Sequence, residues 1–165
     1  MLGIDPGTAA CGYGVVTGGP GLAAQLVECG VIRTRAGAPL ASRLATVFDS
    51  LTALLERHRP DAVAVEGLFH GQNARSALIL GHARGVALLA AERAGLPISE
   101  ISPAEVKRAV TGSGSATKGQ VAEMMARLLR LAAPPTPSDA ADGTAIALTQ
   151  LLRLSPRLRL AGGGR

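Results

Sequence analysis

The chain has 165 residues, with 17 Lys and Arg against 12 Asp and Glu, a formal charge of +5. That length is enough for one domain whose core needs neither disulfides nor a structural metal. Ala, Leu, Gly and Arg fill more than half of it, which makes the two lysines and three aromatic residues conspicuous by rarity. The longest uncharged stretch, residues 6–27, holds six Gly and Pro20, so it predicts a hairpin and not a membrane span. An ordered motif begins at Leu2 with no charged-then-apolar leader before it, and the expectation is a cytoplasmic protein without a membrane segment. Cys11 and Cys29 are too few and too far apart for a zinc cluster and read as reduced thiols with no catalytic role. Their symmetric placement about Gly19-Pro20-Gly21 predicts that they face each other across the hairpin.

In chain order, residues 2–4 form a short apolar strand, and Asp5-Pro6-Gly7 turns the chain out of it. Strands over residues 11–17 and 25–33 follow as antiparallel partners, the second alternating Val27, Cys29 and Val31 with Glu28 and Gly30. Apolar residues at 40, 44, 47, 51, 54 and 55 have the period of an amphipathic helix over residues 40–55. Residues 61–65 form a short strand buried on both faces. A long helix over residues 73–93 is stopped by Gly95 and Pro97, and a strand at residues 98–101 comes next. Ser102 and Glu105 make a capping box with Pro103 at the first helical position, starting a helix to Val110. Thr117 and Gln120 repeat the signal for a helix to Leu131. Pro134, Pro135 and Pro137 break that helix, and Ser138 caps a last one ending at Leu154. Residues 155–165 carry Arg157, Arg159, Arg165 and three successive glycines and read as a basic, disordered tail. Three strands in hairpin order, then alternating helices and strands, predict a single α/β domain over residues 1–154, with a mixed five-stranded sheet flanked by helices.

Two acids sit where such sheets bind ligands. Asp5 follows the apolar run of the first strand, and Glu66 follows Val63-Ala64-Val65 in the same way, so both stand at strand carboxyl ends. Asp139 and Asp142 share one face of the last helix at its first turn. There they also complement the helix dipole, which is sufficient reason for acids in that place. If the four converge, an Asp/Glu set without His or Cys suits Mg²⁺ or Mn²⁺ and excludes zinc. Two such ions clamp the attacking and leaving oxygens of a phosphoryl displacement.

A basic chain around an acidic site points to a nucleic-acid phosphodiester. Lys107 and Lys118 fall within 12 residues and bracket the Gly/Ser loop at 111–116, as compact point charges near phosphate or by chance clustering. Phe69, in a polar loop after Glu66, either stacks on an unpaired base or anchors that loop in the core. His70 beside it ranks below the carboxylates as a general base.

Together, Leu2-Gly3-Ile4-Asp5-Pro6-Gly7-Thr8 with Gly12-Tyr13-Gly14, Val65-Glu66 with Phe69, Asn73-Ala74-Arg75-Ser76-Ala77-Leu78 with Gly85, Lys107 with Gly112 to Lys118, and Asp139-Ala140-Ala141-Asp142 resemble the RuvC Holliday-junction resolvases. The resemblance spans nearly the whole chain. It implies an RNase H-like fold and a homodimer that cuts two strands of a four-way DNA junction symmetrically, in recombination and repair beside the RuvAB branch-migration machinery. It further implies that Asp5, Glu66, Asp139 and Asp142 are a catalytic tetrad holding two Mg²⁺ or Mn²⁺ ions, that Phe69 engages an unpaired base, and that Lys107 and Lys118 lie near junction phosphates. Hydrolysis would leave 5′-phosphate and 3′-hydroxyl ends. Two departures from the family pattern stand out: the first strand starts almost at Met1, which could weaken the support of Asp5, and Gly143 follows Asp142, a cost of about 1 kcal/mol that could loosen it. Ala77, Gly81 and Gly85 form a small-residue stripe on the long helix that either permits close contact with another helix or packs closely on the chain's own sheet, and another part of that helix is expected to make an isologous dimer contact. The alternatives are an RNase H-like nuclease for another nucleic acid and a non-catalytic junction-binding protein. An actin-like ATPase is excluded by the absence of a second phosphate loop.

Overall fold

In the computed structural model, which describes residues 1–19, 22–67 and 74–154, the chain runs β1 (Leu2–Asp5), β2 (Ala10–Gly19), β3 (Leu22–Arg33), α1 (Leu40–His58), β4 (Val63–Glu66), α2 (Ala74–Arg93), β5 (Ile98–Ile101), α3 (Pro103–Thr111), α4 (Lys118–Leu128) and α5 (Ser138–Leu154). These strands form one sheet in the order β3-β2-β1-β4-β5. β1 is central, antiparallel to β2 and parallel to β4, and β4 is parallel to β5. Phe69, His70, the helix start at Asn73, the Pro20-Gly21 turn and the tail at 155–165 lie outside the described residues.

Strand alternation assigns the two faces of the sheet. Side chains two residues apart share a face. Leu2, Ile4, Val63 and Val65 therefore point one way, into a core with Val47, Leu51, Leu54 and Leu55 of α1 and Ala87, Ala90 and Ala91 of α2. Gly3 and Ala64 point the other way, toward α5, and the next residues on that face are Asp5 and Glu66. Gly12 and Gly14 of β2 also face α5. A side chain at Gly3 would collide with the backbone of Gly143 and Ala147, one at Gly12 with Asp139, and one at Gly14 with Thr144. Gly143 meets the sheet from the other side, where a Cβ would lie 2.5 Å from the Tyr13 Cα. The helix backbone thus rests directly on the strand backbone. α3 and α4 cover the outside of α5, burying Val110, Val121 and Met125 with Leu148, Leu151 and Leu152.

Several boundaries and contacts differ from expectation. α1 runs one turn past residue 55 and ends at Arg59, a non-glycine residue at φ 41° whose N–H donates to the Leu55 carbonyl at 2.9 Å. α4 stops at Leu128, three residues short of Leu131, because Arg130 turns left-handed at φ 55° and the Leu131 N–H returns to the Ala126 carbonyl at 2.8 Å. Ser138 is the first residue of α5 and not its cap; the carbonyl of Pro137 accepts the Ala140 N–H at 3.0 Å. Both predicted capping boxes form, at Ser102 with Glu105 and at Thr117 with Gln120.

Cys11 and Cys29 do not face each other. Cys11 stands opposite Ile32 and Cys29 opposite Gly14, an odd offset that puts the sulfurs on opposite faces. Register shifts between Val15 and Val16 and between Thr17 and Gly19 displace the hairpin from its symmetric pairing. Of the two readings of the small-residue stripe, packing on the chain's own sheet is not what Gly81 and Gly85 do. Ala83, Ala87, Ala90 and Ala91 make the close contact with the core, whereas Cβ atoms at Gly81 and Gly85 would meet open space. Short as it is, β1 is not weakly held: it is bonded along both edges, and beyond it the Val16 N–H donates to the Met1 carbonyl at 2.9 Å.

Candidate active site

Each acid is delivered by a different device. Asp5 and Glu66 end adjacent parallel strands, one step beyond the paired residues Ile4 and Val65, so their side chains emerge side by side on the α5 face. Asp139 and Asp142 lie in the first turns of α5, which the glycine contacts press onto β1 and β2. Carboxylate oxygens of Asp5, Asp139 and Asp142 come within 4.8 Å of one another. Glu66 joins through a hydrogen bond between its carboxylate and the Asp5 carboxyl. All four predicted acids therefore meet at one place.

The crowding is electrostatically costly. Burial first, then the negative charge of Glu66, their mutual hydrogen bond, and the charges of Asp142 and Asp139 push the Asp5 carboxyl far above the usual carboxylate range. Burial also raises Glu66, although the bond from Asp5 opposes that shift. A set of hard oxygen donors held this close is short of positive charge, which is what a divalent cation supplies. The donor chemistry fits Mg²⁺ or Mn²⁺.

Asp5, Glu66 and Asp142 open onto a cleft of about 360 Å³ that Lys107 and Lys118 also line, with Val106 and Val121 as apolar wall. Lys118 Nζ donates to Asp142 Oδ2 at 2.6 Å, and this bond is the main reason its ammonium holds its proton more tightly than usual. Both lysines reach the cleft, one of them already paired with an acid. Cys11 is buried, which pushes its thiol up to about 12 and leaves it unreactive, as expected of a structural cysteine.

Two further residues hold the site from behind and carry no sequence signal among 15 arginines. Arg43 of α1 bonds Thr8 in the turn after Asp5, and Arg84 of α2 bonds the backbone carbonyl of Glu66. Long-range contacts of this kind have no spacing rule by which they could have been found.

Residues 1–150 match the family model described as crossover junction endodeoxyribonuclease RuvC. Relatives of that name include one from Salinispora arenicola, 49% identical over 100% of this chain and 99% of its own, and one from Frankia casuarinae, 52% identical over 93% and 89%. Among solved structures, T. thermophilus RuvC in complex with Holliday junction substrate superposes with a TM-score of 0.87 at 38% identity, covering 93% of each chain. The yeast mitochondrial Holliday junction resolvase Ydc2, 14% identical, has a TM-score of 0.68 over 96% of this chain and 80% of its own, a likeness of fold. That fold is RNase H-like, as the family resemblance implied. Among the described residues no helix is long and apolar enough to cross a membrane. Near-complete coverage at about half identity, on a matching fold, is membership: the chain belongs to the RuvC family of crossover junction endodeoxyribonucleases, metal-dependent nucleases of recombination and repair.

Proposed function

We propose that this chain resolves four-way DNA junctions by phosphodiester hydrolysis, with Asp5, Glu66, Asp139 and Asp142 as the catalytic tetrad. The observation that carries this reading is the meeting of Asp5, Asp139 and Asp142 within 4.8 Å at the end of the central strand, with Glu66 bonded to Asp5. Asp5, bonded to Glu66 and close to Asp139 and Asp142, would hold the Mg²⁺ or Mn²⁺ ions, two on this reading, together with those three acids. Such ions, when bound, neutralise phosphate charge and lower the cost of generating a hydroxide nucleophile. Glu66 and Asp5 must then shed the proton that burial and crowding stabilise between them. Lys118, charged and exposed at the cleft mouth, gives up Asp142 and faces the DNA backbone together with Lys107. Phe69 engages an unpaired base near the cut.

Paired cuts call for a two-fold protein. The outer face of α2, where Gly81 and Gly85 open beside the exposed Leu78 and Leu89, supports an isologous homodimer. Residues 1–154 act as one nuclease domain and 155–165 as a basic tail, in the cytoplasm beside the RuvAB machinery.

Replacing Asp5 with Asn tests the reading. Junction binding is kept and cleavage falls by at least about 10²-fold, the scale for losing one transition-state charge stabiliser. Unaffected cleavage removes the tetrad, and a panel of junction, duplex, hybrid and single strand in Mg²⁺ and Mn²⁺ identifies the substrate.

A further inference from the structure

The two strand ends that carry Asp5 and Glu66 are gripped from the far side of the sheet by one arginine each. Past Asp5 the chain turns through Pro6 and Gly7 to Thr8, which is 7% exposed. Arg43 Nε–H is shared between the Thr8 carbonyl at 3.0 Å and the Thr34 hydroxyl at 3.2 Å, and Nη2 donates to Thr8 Oγ1 at 2.8 Å. The Thr34 hydroxyl donates to the same Thr8 carbonyl at 2.7 Å. Both oxygens of Thr8 are therefore engaged, and Arg43 has no carboxylate partner among the described residues. At the neighbouring strand, Arg84 Nε donates to the Glu66 carbonyl at 3.3 Å while Nη2 pairs with Glu100 on β5. The Arg84 side chain is only 14% exposed.

A guanidinium offers donors in a rigid planar fork, so it fixes the direction of what it binds as well as neutralising charge. Direction matters at these two points. Asp5 and Glu66 are the last residues of their ladders, and beyond them, among the described residues, the backbone keeps few bonds to the sheet, the Gly67 N–H to the Ile101 carbonyl and the Thr34 N–H to the Ala9 carbonyl. Once both are ionised, as cation binding requires, their carboxylates repel each other and those of α5, and unrestrained strand ends would relieve that repulsion by drawing apart. We propose that Arg43 and Arg84 are positioning residues, which hold the Asp5 and Glu66 strand ends at the separation that divalent-cation binding needs. This rests on the metal-binding reading of the cleft.

Full-length Arg43→Lys and Arg84→Lys keep the charge and lose the fork; Thr8→Val removes only the hydroxyl acceptor. For each, three quantities are measured: the melting transition, Mn²⁺ affinity by calorimetry without DNA, and four-way junction affinity in Ca²⁺. In cooperatively melting lysine variants, Mn²⁺ binding weakens about tenfold while junction affinity stays within about twofold, the scale of losing an outer partner of a metal ligand. Thr8→Val shifts Mn²⁺ affinity in the same direction by less, and decides the matter for Arg43 if Arg43→Lys does not fold. Unchanged Mn²⁺ affinity in folded variants overturns the proposal. So does weaker junction binding with unchanged Mn²⁺ affinity, which would make Arg43 a phosphate contact. Asp5→Asn, run in parallel, separates the two claims: if it binds Mn²⁺ as well as the parent, the metal-site reading itself has failed.

Discussion

The two faces of the sheet solve opposite problems. Toward α1 and α2 the strands present Leu2, Ile4, Val63 and Val65, and stability comes from large side chains removed from water. Toward α5 the same strands present Gly3, Ala64, Gly12 and Gly14, and what is gained is proximity. With no side chains between them, the α5 backbone sits near enough for Asp139 and Asp142 to reach Asp5. The thick face stores stability, and the thin face uses it to hold like charges together. One four-residue strand serves both, because alternation sends Leu2 and Ile4 one way and Gly3 and Asp5 the other.

The strongest way to break this contrast is Gly143→Ala. The added methyl meets the Tyr13 backbone, which cannot swing aside as a side chain could, so α5 must lift. We expect a loss of roughly 3 kcal/mol, at the upper end for overpacking, and Mn²⁺ affinity down by about 100-fold in calorimetry on the folded protein. Leu51→Ala on the thick face is the counterpart. Leu51 is fully buried, and its truncation costs about 2–5 kcal/mol in denaturant unfolding, with Mn²⁺ affinity unchanged. If both variants lose metal affinity equally, the division of labour is wrong.

The faces also differ in pH response. Asp5 is raised in the folded metal-free protein from 3.8 to about 8, and Glu66 is raised as well. A raised carboxyl contributes stability in full below its unfolded value and loses it as pH rises through the folded value. Metal-free melting temperature should therefore fall between about pH 4 and pH 8, saturating Mg²⁺ should remove the fall, and Asp5→Asn should lose most of it. On the thick-face side, burial raises Glu28, but bonds from Tyr13 and His58 and the charge of Arg57 outweigh it, and the net shift is downward. Its contribution is present above the unfolded value of 4.5 and lost as pH falls below it, so Glu28→Gln should flatten the acid limb. The smallest expected effect is that of Ser102→Ala, about 1 kcal/mol for the lost α3 cap, measured by thermal unfolding. It should leave the metal site untouched.

Local chemistry was legible in the sequence where a short-range rule governs it. The two capping boxes, the apolar period of α1 and the acids ending two apolar runs each follow from residues within a few positions of one another. Arg59 and Arg130 closed helices without a glycine to announce them. The hairpin register slipped at two irregularities, one at Gly18, where a strand glycine is a bulge signal, and one between Val15 and Val16 that no residue type marks, and the cysteines parted with it. Gly143 shows the limit most clearly. Judged as a helix residue it is a defect of about 1 kcal/mol, but against Tyr13 it is a requirement.

By itself, then, the sequence determined the elements, the strand alternation and the identity of four acids, because propensity, capping and periodicity act over a handful of residues. The tertiary structure alone decided that those acids converge, that glycines from two distant segments let them, and that Arg43 and Arg84 hold the strand ends from behind. Those outcomes depend on which backbone meets which across the fold, and no spacing along the chain encodes that.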